Sequence, residues 1–390
     1  MSLKEKRDFF IDLFERHTIP EPIDSIADVN SPRLSLLANT KSNKLCNNRV
    51  FYSIKWVPKY LITKTNANYK AYVIAHYHIG YSIQIDDDLK SVDEYLKLQF
   101  KSRAYKITRY VKRLETCFHL NCKTYHGNIS KNEYDTLFDA LKIMLVTRFK
   151  EKKKINDRLQ VWQKLYNMYY TLINEGKASM IVVYESDIPI SISLNLIFRK
   201  FCFNTIISYN LDYAKFGLGH VMIYKQLDWC IKNKFSLYDM GKGVYYDFKE
   251  RWCNQIYNLD HLFLVPKKSN FITVIVYKIE IFKIQLFEYL RSKQWHVLYN
   301  KIKNGIYFMN YSKKSIEYKT SVFSNMLALK DMELINYGHN DYLNLRKPVN
   351  DFLYSNSIHK DNVKIYKNIN EKYFVVAGNN KAIKIMFIDS

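Results

Sequence analysis

The segments FCFNTIISYN (201–210), KFGLGH (215–220) and FSLYDMGKGVYYDFKERW (235–252) decide the fold of this 390-residue chain. The first alternates as a strand does. The second is a glycine turn that opens onto a stretch with Met222, Ile223, Leu227, Cys230 and Ile231 at helical spacing. The third begins as another strand, whose end carries Asp239, Gly241 and Gly243. A glycine turn leading straight into a helix leaves backbone N–H groups facing outward with the positive end of the helix dipole, a place for an anion such as a phosphate. The pattern therefore reads as strand, anion-binding turn, helix, strand, with a reacting centre at the end of the second strand.

Upstream, SMIVVYE and ISISLNLIF predict two further strands that form a meander with 201–210. Before them, Ser91 with Glu94 and Ser130 with Glu133 have the form of capping boxes, each starting a helix. A third helix is expected over about 157–174, stopped near Gly176. Residues 1–90 read as mixed structure with an N-terminal helix and strands near 50–56 and 69–85. After 265 come a helical segment (266–315) and an α+β tail rich in Tyr and Asn (316–390). The expected fold is α/β in layers: a mixed, mostly antiparallel sheet flanked by helices, with a C-terminal α+β extension.

A net charge of +23 favours anionic partners: phosphates, polyanionic glycans, a membrane surface or nucleic acid. The six cysteines have no CxxC spacing and suit a reducing cytosol. The apolar run FITVIVYKIEIFKIQLFEYL is interrupted by Lys278, Glu280, Lys283 and Glu288, too polar to span a bilayer. A surface contact at the inner membrane and packing against the protein body are the two readings left for it. No G-x-S-x-G, HExxH, P-loop or full dinucleotide fingerprint is present, so hydrolase, zinc-protease and NTPase readings have no support. His76 and His78 share a strand face without a third ligand, and no metal is expected.

The order of elements, with Asp239, Gly241, Lys249 and Trp252 closing it, resembles the GNAT acyltransferase superfamily over about residues 95–265. It is most similar to the branch found among cellulose- and exopolysaccharide-biosynthesis proteins, related in fold to Fem-type aminoacyltransferases. The resemblance implies a catalytic domain at 91–265 and a degenerate GNAT-like half at 1–90, making a tandem pair. It implies acetyl-CoA or another acyl-CoA as donor and an amine or amino sugar as acceptor. The pyrophosphate would lie on the amides of Phe216, Gly217, Leu218, Gly219 and His220, and the pantetheine along Tyr209 and Asn210. Asp239 would take the amine's proton, Tyr246 would protonate the thiolate, and Lys249 would pair with Asp239 or meet an anion. In one respect the chain departs from the superfamily turn: Ala214 stands where Arg or Gln is usual.

Each assignment has an ordinary counterpart. Glycines start many helices, aspartates often bond the backbone of Gly-rich turns, and one tyrosine among 33 is usually packing. The basic run Arg103 to Arg113 fits a solvated helix face better than a polyanion grip. Two other functions stay open: a Fem-like transferase fed by aminoacyl-tRNA, the one reading that brings in nucleic acid, and a degenerate GNAT-fold scaffold.

Overall fold

The computed structural model describes residues 3–38, 49–243, 247–295, 297, 299, 317–338 and 340–388. The N-terminal segment, expected as a helix, instead forms strand β1 (Lys4–Asp8) and one π-helical turn, Ile11–Glu15. Its backbone groups are satisfied by parallel pairing with a distant strand, so tertiary pairing overrides the local helical spacing. Phe9, Leu13 and Phe14 still reach the core. Five more strands follow: β2 (Ile23–Asp28), β3 (Ser31–Ala38), β4 (Phe51–Pro58), β5 (Leu61–Thr65) and the long β6 (Tyr69–Gln84). Of these, β3, β2 and β5 make a small sheet of their own.

Helix α1 (Val92–Phe100) begins where Ser91 Oγ accepts from the Glu94 amide at 3.2 Å. The reciprocal bond is displaced by one residue, since the Glu94 carboxylate accepts from the Lys90 amide at 3.0 Å. α2 (Ala104–Cys117) buries Ile107, Val111 and Leu114 and leaves Arg103, Lys106, Arg109 and Lys112 to solvent. Strand β7 (Leu120–Tyr125) then leads to α3 (Lys131–Glu151), capped by Ser130, and α4 (Trp162–Asn174). Gly176, at φ +68°, turns the chain out of α4 in the left-handed conformation that glycine adopts freely.

The expected meander is present as β8 (Ala178–Glu185), β9 (Ile188–Phe198) and β10 (Phe201–Tyr209). After it come α5 (Leu218–Lys232), β11 (Leu237–Gly243), α6 (Asp247–Trp252), β12 (Gln255–Pro266) and α7 (Phe271–Ser292). Nine strands join in one sheet in the order β1-β4-β12-β6-β11-β10-β9-β8-β7. Only β1·β4 and β10·β11 are parallel; every other neighbouring pair is antiparallel. Strand β6 is long enough to pair with both β12 and β11, and so fuses the N-terminal strands to the meander half.

Helices cover both faces of the meander half. On one, Leu137, Phe138 and Leu141 of α3 and Leu165 and Leu172 of α4 pack with Leu194, Ile206 and Leu237. On the other, Leu96, Ile107, Ile223 and Leu227 pack with Cys202, Tyr238 and Trp252. The mixed, mostly antiparallel sheet flanked by helices is the architecture that the sequence predicts.

The tail forms a second antiparallel sheet, in the order β13 (Glu317–Val322), β17 (Lys381–Ile388), β16 (Tyr373–Gly378), β15 (Lys364–Lys367), β14 (Glu333–Ile335). Its helix α8 (Arg346–Asn356) buries Val349, Phe352 and Leu353 against Val111, Leu114 and Phe216. Asn350 donates to the Asp212 carbonyl at 3.1 Å, and Lys360 pairs with Glu185. The extension is thus seated on α2 and on the turn that precedes α5.

Candidate functional site

β10 and β11 hold each other through only three register pairs, Phe201 with Leu237, Cys202 with Tyr238, and Phe203 with Asp239. Beyond the last pair, each strand bulges against its outer neighbour. β10 shifts register with β9 between Asn204 and Ile206, and β11 with β6 between Asp239 and Lys242. An extra residue bends its strand, and two bulges on diverging strands open a notch. Gly241, at φ +77°, supplies the left-handed residue at one bulge. At the other, the Asn204 amide donates to Asn195 Oδ1, Gln226 Oε1 and Ser193 Oγ at 2.8–2.9 Å, which anchors the bend inside the sheet.

A cavity of about 880 Å³ fills the notch and reaches both faces of the sheet. On the α5 face its wall includes Gly219, Ile223, Phe248 and Lys249; on the α3 face it includes Phe10, Arg148, Lys152 and Lys154. Gly219 lies under the rings of Phe248 and Tyr209, with 3.6–3.9 Å of room for a Cβ. Gly217, at φ +63°, is packed against the Tyr110 ring, 2.8 Å from where a Cβ would sit. Gly217 is therefore required both by its backbone conformation and by the closeness of Tyr110, whereas Gly219 leaves room for a methyl.

The five amides from Phe216 to His220 are not equally open. Gly217 donates to the Ala214 carbonyl at 3.2 Å and His220 to the Gly217 carbonyl at 2.8 Å. The Leu218 and Gly219 amides have no acceptor among the described residues, and they sit at the start of α5 where the dipole is positive. The side chains of Phe216 and Leu218 belong to the core. The His220 ring stacks on Tyr110, and its Nδ1 accepts from Trp252 Nε1 at 2.9 Å. Burial and then the Arg251 charge push its pKa down to about 4, so the imidazole is neutral. Asn210 shapes the approach: its amide donates to the Ile190 carbonyl at 2.8 Å, and its Oδ1 accepts from the Asp212 amide at 2.9 Å. The Tyr209 ring lies under the Arg148 guanidinium at 4.5 Å.

Asp239 stands one layer behind this wall, fully buried rather than on an open edge. Tyr257 and Tyr60 donate to its Oδ2 at 2.6 and 2.9 Å, and the Gly241 amide donates to Oδ1 at 2.6 Å. Burial lifts its pKa to about 6, against the pull of these donors and of the Lys249 charge. Lys249 Nζ donates to the Gly241 and Lys242 carbonyls at 3.3 and 3.1 Å. Burial lowers its amine to about 8, with the Asp239 carboxylate pulling the other way. Lys249 thus reaches the bulge beside Asp239 and feels its charge. Tyr246 lies outside the described residues.

Two features of the site escaped the sequence. Tyr60 and Tyr257 come from the N-terminal strands' side of the sheet and from β12, with nothing to separate them from 31 other tyrosines. The second feature is a group of cations on the α3 face: Arg148, Lys152, Lys154 and Arg158 line the cavity and form no ion pair among the described residues. The cavity's two acids are already matched, Asp8 by Lys55 at 3.2 Å and Glu15 by Lys164 at 3.5 Å. The run EKKKINDR (151–158) was the available signal.

Outside the cavity, His76 is held by Glu288 at 3.0 Å and stacks on Trp56. Where the tail meets the body, His119, His359 and Asp361 bring three metal-capable atoms within 4.8 Å of one another among the described residues. They are joined by His119–Asp361 and His359–Asp361 contacts of 2.9 and 3.3 Å.

A parallel strand pair thus parts at a cavity that has the start of α5 in its wall. Residues 101–250 match the family model described as an acetyltransferase (GNAT) domain. No curated protein matches the chain. Among solved structures it is similar to a conserved protein of unknown function from Bacteroides thetaiotaomicron, with 6% identity, 55% of this chain and 70% of that one covered, and a TM-score of 0.39. It is also similar to FemX, with 12% identity over 50% of this chain and 63% of that one, at a TM-score of 0.37. A third is L-PGS from Bacillus licheniformis, with 10% identity over 63% and 73% of the two chains, at a TM-score of 0.35.

Proposed function

We propose that the chain is an acyl-CoA-dependent N-acyltransferase that transfers an acyl group, acetyl in the simplest case, to an amine or amino sugar. The observation that carries this reading is the cavity between β10 and β11 with Gly219 in its wall, at the start of α5, where the Leu218 and Gly219 amides have no acceptor among the described residues. The match of residues 101–250 to an acetyltransferase domain supports it. In this reading residues 91–265 form the catalytic unit, 1–90 a degenerate GNAT-like half, the 266–315 segment packs on the core through α7, with 300–315 outside the described residues, and 316–390 are an extension. We assign the chain to the cytosol and to the exopolysaccharide branch of the superfamily, in envelope polysaccharide assembly.

The donor's pyrophosphate rests on Leu218 and Gly219, and its pantetheine enters the notch beside Tyr209. Successive amides of a strand alternate sides. Because Asn210 is spent on Ile190, the Tyr209 amide is the one turned toward the opening, and it polarises the thioester carbonyl. The acceptor nitrogen attacks that carbon, the C–S bond breaks, and the amine's proton leaves. Lys249 lines the cavity with an amine lowered to about 8 and exchanges that proton, while Asp239 behind it supplies the compensating charge. Tyr246 is assigned proton donation to the thiolate. Catalysis rests mainly on positioning. The unpaired cations on the α3 face suit an acceptor that carries a negative group.

Calorimetric titration with acetyl-CoA, with dephospho- and desulfo-CoA as controls, tests the reading. Saturable binding that Lys249→Met leaves intact while turnover falls supports it. Absence of binding at millimolar acetyl-CoA discards it in favour of a donor carried on tRNA or of a scaffold.

A further inference from the structure

α7 presents apolar side chains on two faces, one packed on the sheet and one exposed. Its inward face carries Val274, Tyr277, Ile281 and Ile284, which pack with Phe51, Phe263 and Val265 of the sheet, and buried Thr273, whose hydroxyl donates to the Arg49 carbonyl at 3.1 Å. Both of its acidic residues also point inward: Glu280 pairs with Lys4 at 2.7 Å, and Glu288 with His76 and Arg291 at 3.0 and 2.5 Å. The outward face carries the large apolar residues. Phe271, Ile275, Ile279, Phe282 and Leu286, spaced by three and four, form a row along it, with Phe271 77% and Phe282 65% exposed. Phe287 and Tyr289 lie beside them, and Trp295 continues the exposed apolar surface past the helix end. Isolated exposed apolar residues are ordinary, but a continuous row of this length is a contact surface.

The charges around the row have one sign. Lys278 and Lys283 are exposed at its two edges, Lys267 and Lys268 are exposed at the turn leading into the helix, and Lys293 stands over the Tyr289 ring at its end. With the two glutamates occupied inward, the outward surface offers cations and hydrocarbon together. Long lysine side chains at such edges lay their methylenes along apolar surface and hold the ammonium in water. A second copy of this chain would bring the same positive rim to its partner, and like charges would oppose association. A bilayer with anionic headgroups satisfies both parts, hydrocarbon for the row and phosphate for the rim.

We propose that the outward face of α7 is an interfacial membrane-docking surface, by which the protein lies on an anionic bilayer without crossing it. No helix among the described residues is long and apolar enough to cross one. The proposal is independent of the acyl-transfer reading.

Co-sedimentation of the full chain with phosphatidylcholine vesicles, and with vesicles that also contain phosphatidylglycerol, tests this proposal. The expected result is at least about tenfold stronger partitioning onto the anionic vesicles, weakened by salt. Phe271→Asp with Phe282→Asp should lower binding by about tenfold or more with an unchanged thermal melt, because both positions are exposed. Lys278→Gln with Lys283→Gln should narrow the preference for anionic vesicles. Failure of the wild-type protein to pellet, or equal pelleting of the aspartate variant, overturns the proposal. A dimer in light scattering that the aspartate variant splits, with vesicles ignored, assigns the face to a second copy and likewise overturns it.

Discussion

The ring of Tyr257 lies over Gly80, so that a Cβ on Gly80 would stand 1.9 Å from Tyr257 Cζ, while the hydroxyl beyond it donates to Asp239 at 2.6 Å. The missing side chain of one strand is therefore the space that delivers a hydrogen bond to the buried carboxylate of another. Gly80→Ala should push the phenol aside and cost about 1–3 kcal/mol, the range for overpacking a core. Urea unfolding measures it. An unchanged midpoint would mean that Tyr257 has another place to go.

Asp239 should leave a signature in the pH dependence of stability. Its folded pKa of about 6 lies above the ordinary 3.8, so the folded state keeps a proton that the unfolded chain has released. This contribution is complete below about pH 4 and is lost as pH rises through about 6. Wild type should therefore lose about 2 kcal/mol relative to Asp239→Asn between those limits. Paired denaturant melts from pH 4 to 7 give the difference, and a flat difference would contradict a raised pKa.

Substitutions at Gly219 separate space from ligand binding. A methyl there meets Phe248 and Tyr209 only at 3.6–3.9 Å, so Gly219→Ala should fold and bind acetyl-CoA within a few-fold of wild type. An indole fills the rim of the cavity, and Gly219→Trp should weaken acetyl-CoA binding by at least about tenfold with a small change in melting temperature. Equal affinity of both variants by calorimetry would place the donor elsewhere.

The cations of the α3 face predict acceptor preference. Lys152→Gln, Lys154→Gln and Arg158→Gln combined should raise KM for a phosphorylated amine acceptor by about tenfold or more. KM for its unphosphorylated counterpart and the affinity for acetyl-CoA should stay within about twofold. The same rise for both acceptors would mean that these residues support the cavity wall rather than bind a charge.

Much of the architecture was legible because its signals are local. Alternation in 178–209, the caps at Ser91 and Ser130, the stop at Gly176 and the turn at Gly217 each depend on a few neighbouring residues. Residues 4–8 were misread as helix because their strand exists only by pairing with 51–55, a contact that no local window contains. Asp239 was singled out, but its enclosure was not visible, since Tyr60 and Tyr257 are 179 and 18 residues away in the chain. The five amides of the turn looked equivalent until the internal bonds of Gly217 and His220 left Leu218 and Gly219 as the open pair.

The sequence alone determined the helices that start at Ser91 and Ser130, the meander of 178–209, and the glycine turn that precedes the strand of Asp239, because backbone propensity and capping act over a few residues. Tertiary structure alone decided that the N-terminal strands complete one nine-stranded sheet, that two bulges part β10 from β11, and that Arg148, Lys152, Lys154 and Arg158, with no ion pair among the described residues, face the gap. It also decided that α7 turns its acids inward and its phenylalanines outward. Each of these depends on which distant surface a residue meets, and that is fixed only when the whole chain has packed.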